Sequence, residues 1–176
     1  EDVKTALGTG YLFRAMIYTG LVQRYGGVPI IKVSGSTEIV PRSSEQDVWS
    51  MIVEDLKAAE GLLGEFNSFA YPSKEFCKAF RAKIMLWMAQ DAEAIALADD
   101  VIKSGRFSLN SNSTDFASMF INGTSNKEII FAPINIRSTD YIRLFERVND
   151  TDGSYNYSPT DECWASLYSD DATRTG

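Results

Sequence analysis

KAFRAKIMLWMAQDAEAIALADDVIKSG, residues 78–105, decides the fold. Its apolar residues recur at three- and four-residue steps on both sides of a break at Asp91. With Phe76 just before it, Phe80, Ile84 and Trp87 line one side of a helix capped by Ser73, while Ala92, Ile95, Ala98, Val101 and Ile102 line a second. Ala94, Ala96 and Ala98 are small enough for two helices to approach closely. Gly105 ends the second helix, and Arg106-Phe107-Ser108-Leu109 leaves it extended. The stretch is therefore read as one antiparallel helix pair.

Residues 2–25 predict a long helix in which Val3, Leu7, Tyr11, Ile17, Leu21 and Tyr25 share faces with Phe13, Met16 and Val22. A helix apolar on every side is expected to be buried among several neighbours. Gly26-Gly27 ends it through the left-handed cap conformation, and Val28-Pro29 forces an extended exit. A polar loop, 32–42, follows. Ser43 or Ser44 then caps the next helix, with Gln46 and Asp47 placed for a capping box. Val48, Met51, Ile52, Leu56, Ala59 and Leu63 form its apolar stripe, and Glu45, Glu54, Asp55 and Glu60 are expected mostly on a solvated face. These two helices make a second pair. The pattern of small and aromatic residues resembles a tetratricopeptide repeat, whose units bury their faces by stacking.

After residue 109 the character changes. Residues 111–126 are polar and turn-rich, with Phe116, Met119 and Phe120 as anchors. Ile129-Ile130-Phe131-Ala132 has strand composition, and Pro133 limits it to a short or edge strand. Residues 135–157 show little periodicity. Ser158-Pro159, with Asp161 and Glu162 in the first turn, starts a last helix whose Cys163, Trp164, Leu167 and Tyr168 face inward. The expected class is thus mostly α: tetratricopeptide-like helix pairs in a right-handed scaffold over residues 1–109, then a loop-rich ligand-binding region over 110–176 within the same overall domain, with one or a few short strands.

The 176 residues suffice for one domain with a real core. A net charge of −7 repels phosphate backbones and argues against a nucleic-acid partner. No apolar run reaches the ~18 residues of a transmembrane helix. The chain begins at Glu1 rather than Met and is read as a piece of a longer precursor. With no histidine, it lacks the usual general base and the commonest zinc ligand. Cys77 and Cys163 are far apart and flanked by apolar residues at helical spacing, so buried free thiols are expected ahead of a disulfide. Asn149-Asp150-Thr151-Asp152-Gly153 matches half a calcium loop but lacks the closing glutamate, so no cofactor or metal is expected.

Several segments, in order, resemble the SusD/RagB family. FRAMIYTGLVQRYGGVPII is similar to its helix and Gly-x-Pro turn. PRSSEQDVWSMIVEDLKAAEGLL is similar to the capped acidic helix that follows, and KAFRAKIMLWMAQDAEAIALADDVIKSGRFSL to the Ala-rich pair with its Gly-x-Phe-x-Leu exit. NKEIIFAPI and SPTDECWASLYSDDATR are similar to later elements. The resemblance implies a glycan-binding, non-catalytic lipoprotein on the surface of the outer membrane in Bacteroidetes. Its lipid anchor would lie in an N-terminal segment absent from this chain, and it would cap a TonB-dependent transporter of the SusC type. In that family the helical repeats form the scaffold and transporter-facing side, and irregular loops carry the ligand surface.

Binding a glycan requires flat aromatic faces for sugar C–H groups and polar side chains for hydroxyls. RSTDYIRLFERVNDTDGSYNYSP, residues 137–159, supplies both, and the candidates are Tyr141, Arg143, Asn149, Asp152, Tyr155, Asn156 and Tyr157. Phe69 and Tyr71, beside Asn67 and Pro72, form a second candidate: a groove rim or a hydrophobic plug. Trp49, Trp87 and Trp164 sit at apolar helical positions and are read as core. No pair of carboxylates stands in a recognisable catalytic motif, so an enzyme is disfavoured. A helical-repeat scaffold that binds protein and not sugar is the competing reading.

Overall fold

A computed structural model describes residues 2–33, 35, 37, 39–121 and 126–132, all within one compact unit, Glu1–Ile134. The expected terminal helix, Cys163, Trp164 and the loop 137–159 lie outside the described residues. Five helices follow in order: α1 (Asp2–Tyr25), α2 (Glu45–Leu62), α3 (Lys74–Trp87), α4 (Asp91–Lys103) and α5 (Ser113–Ile121). α1 packs along α2 and α3 along α4, with α2 also against α3, so the two expected pairs are present and adjoin.

The caps explain the boundaries. Ser44 Oγ accepts the Asp47 N–H at 3.1 Å and donates to the Asp47 carboxylate at 2.6 Å, closing the start of α2. Ser73 Oγ does the same for Phe76 N–H at 3.2 Å. Between α3 and α4 the chain turns through Ala89 at φ 55, a left-handed conformation rare outside glycine. Its N–H reaches Leu86 O and the Gln90 N–H reaches Met85 O at 2.8 Å, which satisfies two terminal carbonyls of α3.

The join between α1 and α2 is the tightest part of the fold. Gly26 takes φ 67, and its N–H bonds Val22 O at 2.9 Å. Gly27 answers a different demand: a Cβ built on it would lie 2.1 Å from the backbone oxygen of Ser43. The extended exit is tied back by Tyr18, whose hydroxyl accepts the Ile31 N–H at 2.8 Å and donates to Pro29 O at 3.2 Å. Arg42 donates to the carbonyls of Gly27 and Tyr25.

The core joins Leu12, Ala15 and Val22 of α1 with the whole expected stripe from Val48 to Leu63, then Cys77, Ile84, Met85, Ala94 and Leu97. Cys77 is a buried free thiol, as its apolar setting suggested. Burial pushes it up to about 12 from an ordinary 9.0. A folded value raised in this way contributes stability that is full below pH 9 and is lost as pH rises toward 12. In a Cys163→Ser background, Cys77 is expected to resist a disulfide reagent at about pH 8 while folded and to react once urea exposes it, since only the thiolate attacks. Prompt labelling of the folded protein would overturn that burial.

Several expectations need correction among the described residues. α1 is not enclosed on all sides: Val3, Leu7 and Ile17 are exposed, Ile17 by 63 %. Its buried face is Gly8, Leu12, Ala15, Tyr18, Thr19 and Val22, the side along which α2 packs. Trp87 is 62 % exposed rather than core, while Trp49 is buried. On α4 the inward face is Ala94, Leu97 and Val101, and Ala92, Ile95, Ala98 and Ile102 are exposed. Asp55 is buried at 4 % exposure, because Arg14 of α1 reaches across to it. Residues 129–132 also form no strand. A single Ala132 N–H to Phe69 O bond of 2.9 Å links them to a neighbouring loop, and one bond makes no ladder.

α5 falls within the stretch read as turn-rich. Asn112 starts it: its Oδ1 accepts the Asp115 N–H at 2.9 Å and its Nδ2 donates to the Asp115 carboxylate at 2.7 Å. The Asn-x-x-Asp spacing is the sequence signal for this start.

Candidate functional site

Between α2 and α3 the chain runs irregularly through residues 64–72, and it meets the exits that follow α4 and α5. Glu75, buried on the first turn of α3, organises the meeting. Its carboxylate accepts the Phe66 N–H at 2.7 Å and pairs with Arg106 Nε at 3.1 Å. Arg106 also donates to Phe66 O at 3.3 Å and pairs with Glu65. Phe66 packs edge-on against Phe107, with ring centres 4.8 Å apart. Ser68 holds the tip of the loop through its Oγ, which accepts the Ala70 N–H at 3.2 Å.

On the other side, Asn126 is fully used. Its amide donates to Asn110 Oδ1 at 2.9 Å and to Asp115 O at 3.0 Å, and its Oδ1 accepts the Glu128 N–H at 2.9 Å. Glu128 in turn accepts the backbone N–H of Asn110 at 3.0 Å and its side-chain amide at 2.6 Å. Ser108 N–H to Lys127 O, 3.1 Å, completes the clasp. Phe131 anchors the segment by packing on Phe76, 4.5 Å between centres.

Two cavities open along this clasp. One, of about 250 Å³, is lined by Phe66, Asn67, Ser68, Phe69, Arg106, Phe107, Asn126, Lys127 and Ile129. The other, of about 290 Å³, is lined by Ser108, Leu109, Asn110, Ser111, Asp115, Asn126 and Lys127. Both include Asn126 and Lys127, so they adjoin. The first combines aromatic surface with amide, hydroxyl and cationic groups; the second is polar. An arrangement of this kind can hold a polyhydroxylated ligand by ring contact and hydrogen bonds. No cluster of metal-ligating side chains occurs among the described residues.

Of the residues singled out from the sequence, Phe69 and Asn67 line the first cavity. Tyr71 is 67 % exposed and lines neither. Tyr141, Arg143, Asn149, Asp152, Tyr155, Asn156 and Tyr157 lie outside the described residues. Phe66, Arg106, Phe107, Asn126 and Lys127 were not anticipated. They lie in three separate stretches of sequence, and contacts of long sequence separation gather them.

A family of SusD-like proteins, described as starch-binding and associating with the outer membrane, matches residues 1–86. A SusD-like protein of Formosa agariphila is 31 % identical over 124 residues, which is 68 % of this chain and 25 % of that protein. The crystal structure of a SusD-like protein from Bacteroides fragilis NCTC 9343 superimposes with a TM-score of 0.65 at 30 % identity, over 77 % of this chain and 28 % of that one. A crystal structure with xylogluco-oligosaccharide superimposes with a TM-score of 0.65 at 23 % identity, over 73 % of this chain and 29 % of the other, a likeness of fold. The chain spans between a quarter and a third of the length of these relatives.

Proposed function

Because this chain belongs to the SusD-like family, we propose that it is part of a cell-surface receptor that binds oligosaccharides of the starch or polysaccharide type without cleaving them. The receptor would pass them to a SusC-like TonB-dependent transporter, and its place would be the outer membrane, held by an N-terminal lipid anchor. The observation that carries the sugar-binding part is the clasp cavity, where Phe66, Phe69 and Phe107 stand beside Asn67, Ser68 and Lys127. The oligosaccharide bound by a structural relative supports the ligand class. The loop residues Tyr141, Arg143, Asn149, Asp152, Tyr155, Asn156 and Tyr157 are proposed as sugar contacts on their residue types alone, and Tyr71 as a further one. The domain division proposed is the helical scaffold of 1–109 with the ligand-binding region of 110–176.

The exposed apolar side chains of the helices, among them Ile17, Trp87, Ile95 and Ile102, favour a second role in protein contact. This agrees with a division in which helices meet protein and loops meet ligand. The test is calorimetric titration of the full-length parent protein with neutral plant and host oligosaccharides. Phe69→Ala is expected to weaken binding roughly 2- to 12-fold, the loss of one ring contact of ~0.5–1.5 kcal/mol. A Tyr155→Ala, Tyr157→Ala double variant is expected to lose more. No binding across the panel would leave the protein-contact role and remove the receptor role.

A further inference from the structure

Away from the clasp, the C-terminal half of α2 and the outer side of α3 flank an open groove of about 530 Å³, lined by Lys57, Glu60, Gly61, Lys74, Lys78 and Arg81. Lys74, Lys78 and Arg81 stand at i, i+4 and i+7 on α3, so they form one row of roughly 10 Å along the helix. Lys57 adds a fourth cation from α2. Four cations and one carboxylate line the groove, with Asp100 and Glu93 beside Lys78 and Arg81, so the local balance is slightly positive in a chain whose net charge is −7.

The partners in the groove divide the cations into two kinds. Lys78 pairs with Asp100 at 2.9 Å, and Arg81 pairs with Glu60. Lys57 and Lys74 form no ion pair among the described residues. Arg81 Nε is buried without a hydrogen-bond partner among them; the Glu93 carboxylate, at 3.7 Å, is too far to accept one. The lining carries no apolar side chain, which is unsuited to insertion into a lipid layer. A row of cations suits a ligand that repeats its charge along a chain.

We propose that this groove binds an acidic oligosaccharide, a sugar chain bearing carboxylate or sulfate groups, with Lys57 and Lys74 as its unpaired cationic contacts. The sugar part of the proposal rests on the carbohydrate-binding reading; the acidic part rests on the groove alone. The test is affinity electrophoresis of the full chain through gels containing polygalacturonate, a sulfated galactan, or a neutral galactan. Retardation by one or both acidic polymers is expected, and it should fade at high salt, where exposed charges are screened. Lys57→Gln with Lys74→Gln should weaken it about five- to tenfold, and Lys57→Arg with Lys74→Arg should retain it. Circular dichroism of both pairs checks that the fold is kept.

Equal retardation of the Gln pair and the unaltered protein would overturn the groove as the site. Retardation by the neutral galactan alone would overturn the acidic ligand and leave the glycan-binding reading standing. No retardation by any polymer would overturn this proposal and count against that reading as well. Binding to vesicles containing phosphatidylglycerol, without retardation by the acidic polymers, would reassign the cations to a membrane surface and overturn it too.

Discussion

Replacing Gly27 by alanine is expected to destabilise the protein by about 3 kcal/mol or more, since the new methyl carbon would meet backbone that cannot step aside. The built Cβ lies 2.1 Å from Ser43 O, 3.0 Å from Glu45 N and 3.1 Å from Ser44 C. These atoms belong to the capped start of α2. Moving them would disturb the Ser43 N–H to Val28 O bond of 3.2 Å and the cap that Ser44 makes to Asp47. Gly10 is the control: it lies on an exposed face of α1 with no described residue within 4 Å of a built Cβ. Gly10→Ala is expected to stabilise by about 0.8–1 kcal/mol, because glycine is a poor helix former. Thermal melts of the two variants should therefore move in opposite directions, Gly27→Ala downward by roughly 6–12 °C. An unchanged melting temperature for Gly27→Ala would mean that the α1–α2 turn is not packed as described.

Removing Arg14 is the second large effect. Its guanidinium donates two parallel hydrogen bonds to Asp55, 2.7 Å from Nε and 2.6 Å from the second amino group, and lies 5.3 Å from the centre of the Tyr11 ring. The hydrogen bonds to Asp55 raise Arg14 above the usual arginine range. Asp55 sits inside the interface of α1 and α2, whereas the arginine side chain keeps 31 % exposure. Arg14→Met strands a buried carboxylate and is expected to cost about 3 kcal/mol, the lower end for a broken buried pair because water reaches the arginine side. Arg14→Met with Asp55→Met removes both charges and should return to within ~1 kcal/mol of the unaltered protein. Urea denaturation of the two single variants and the double gives the coupling. Purely additive losses would show that the pair does not hold the two helices together.

Much of the helical frame was legible in the sequence, for reasons that stay within a few residues. Ser44, Ser73, Gly26 and Gly105 mark ends by chemistry that acts over three or four positions. The α2 stripe, Val48 through Leu63, repeats at the helical period, and every member is buried. The same reasoning misplaced Trp87, Ile95 and Ile102. Periodicity names an apolar face but does not say whether a neighbour covers it, and α4 presents Ala94, Leu97 and Val101 to α3 instead.

The clasp was less legible. Phe69 and Asn67 drew notice as an aromatic and an amide in a loop, but Arg106, Phe107, Asn126 and Lys127 stood out only within family-like exits, with nothing to mark them as cavity lining. Glu75, a buried acid that looks like any other first-turn carboxylate, joins Phe66 to Arg106, and Asn110 holds Asn126. The cation row is half legible: Lys74, Lys78 and Arg81 share a helix face by spacing alone, while Lys57 joins them only because α2 and α3 pack side by side.

By itself the sequence determined α1 to α4, the Ser44 and Ser73 caps, the apolar stripe of α2 and the family resemblance, since each is written in residues close together along the chain. Only the tertiary structure decided that Gly27 must be glycine, that Asp55 is buried and paired, and that residues from 66 to 129 share one cavity. Those features arise where backbones and charges distant in sequence come within a few ångströms, and no local pattern encodes that approach.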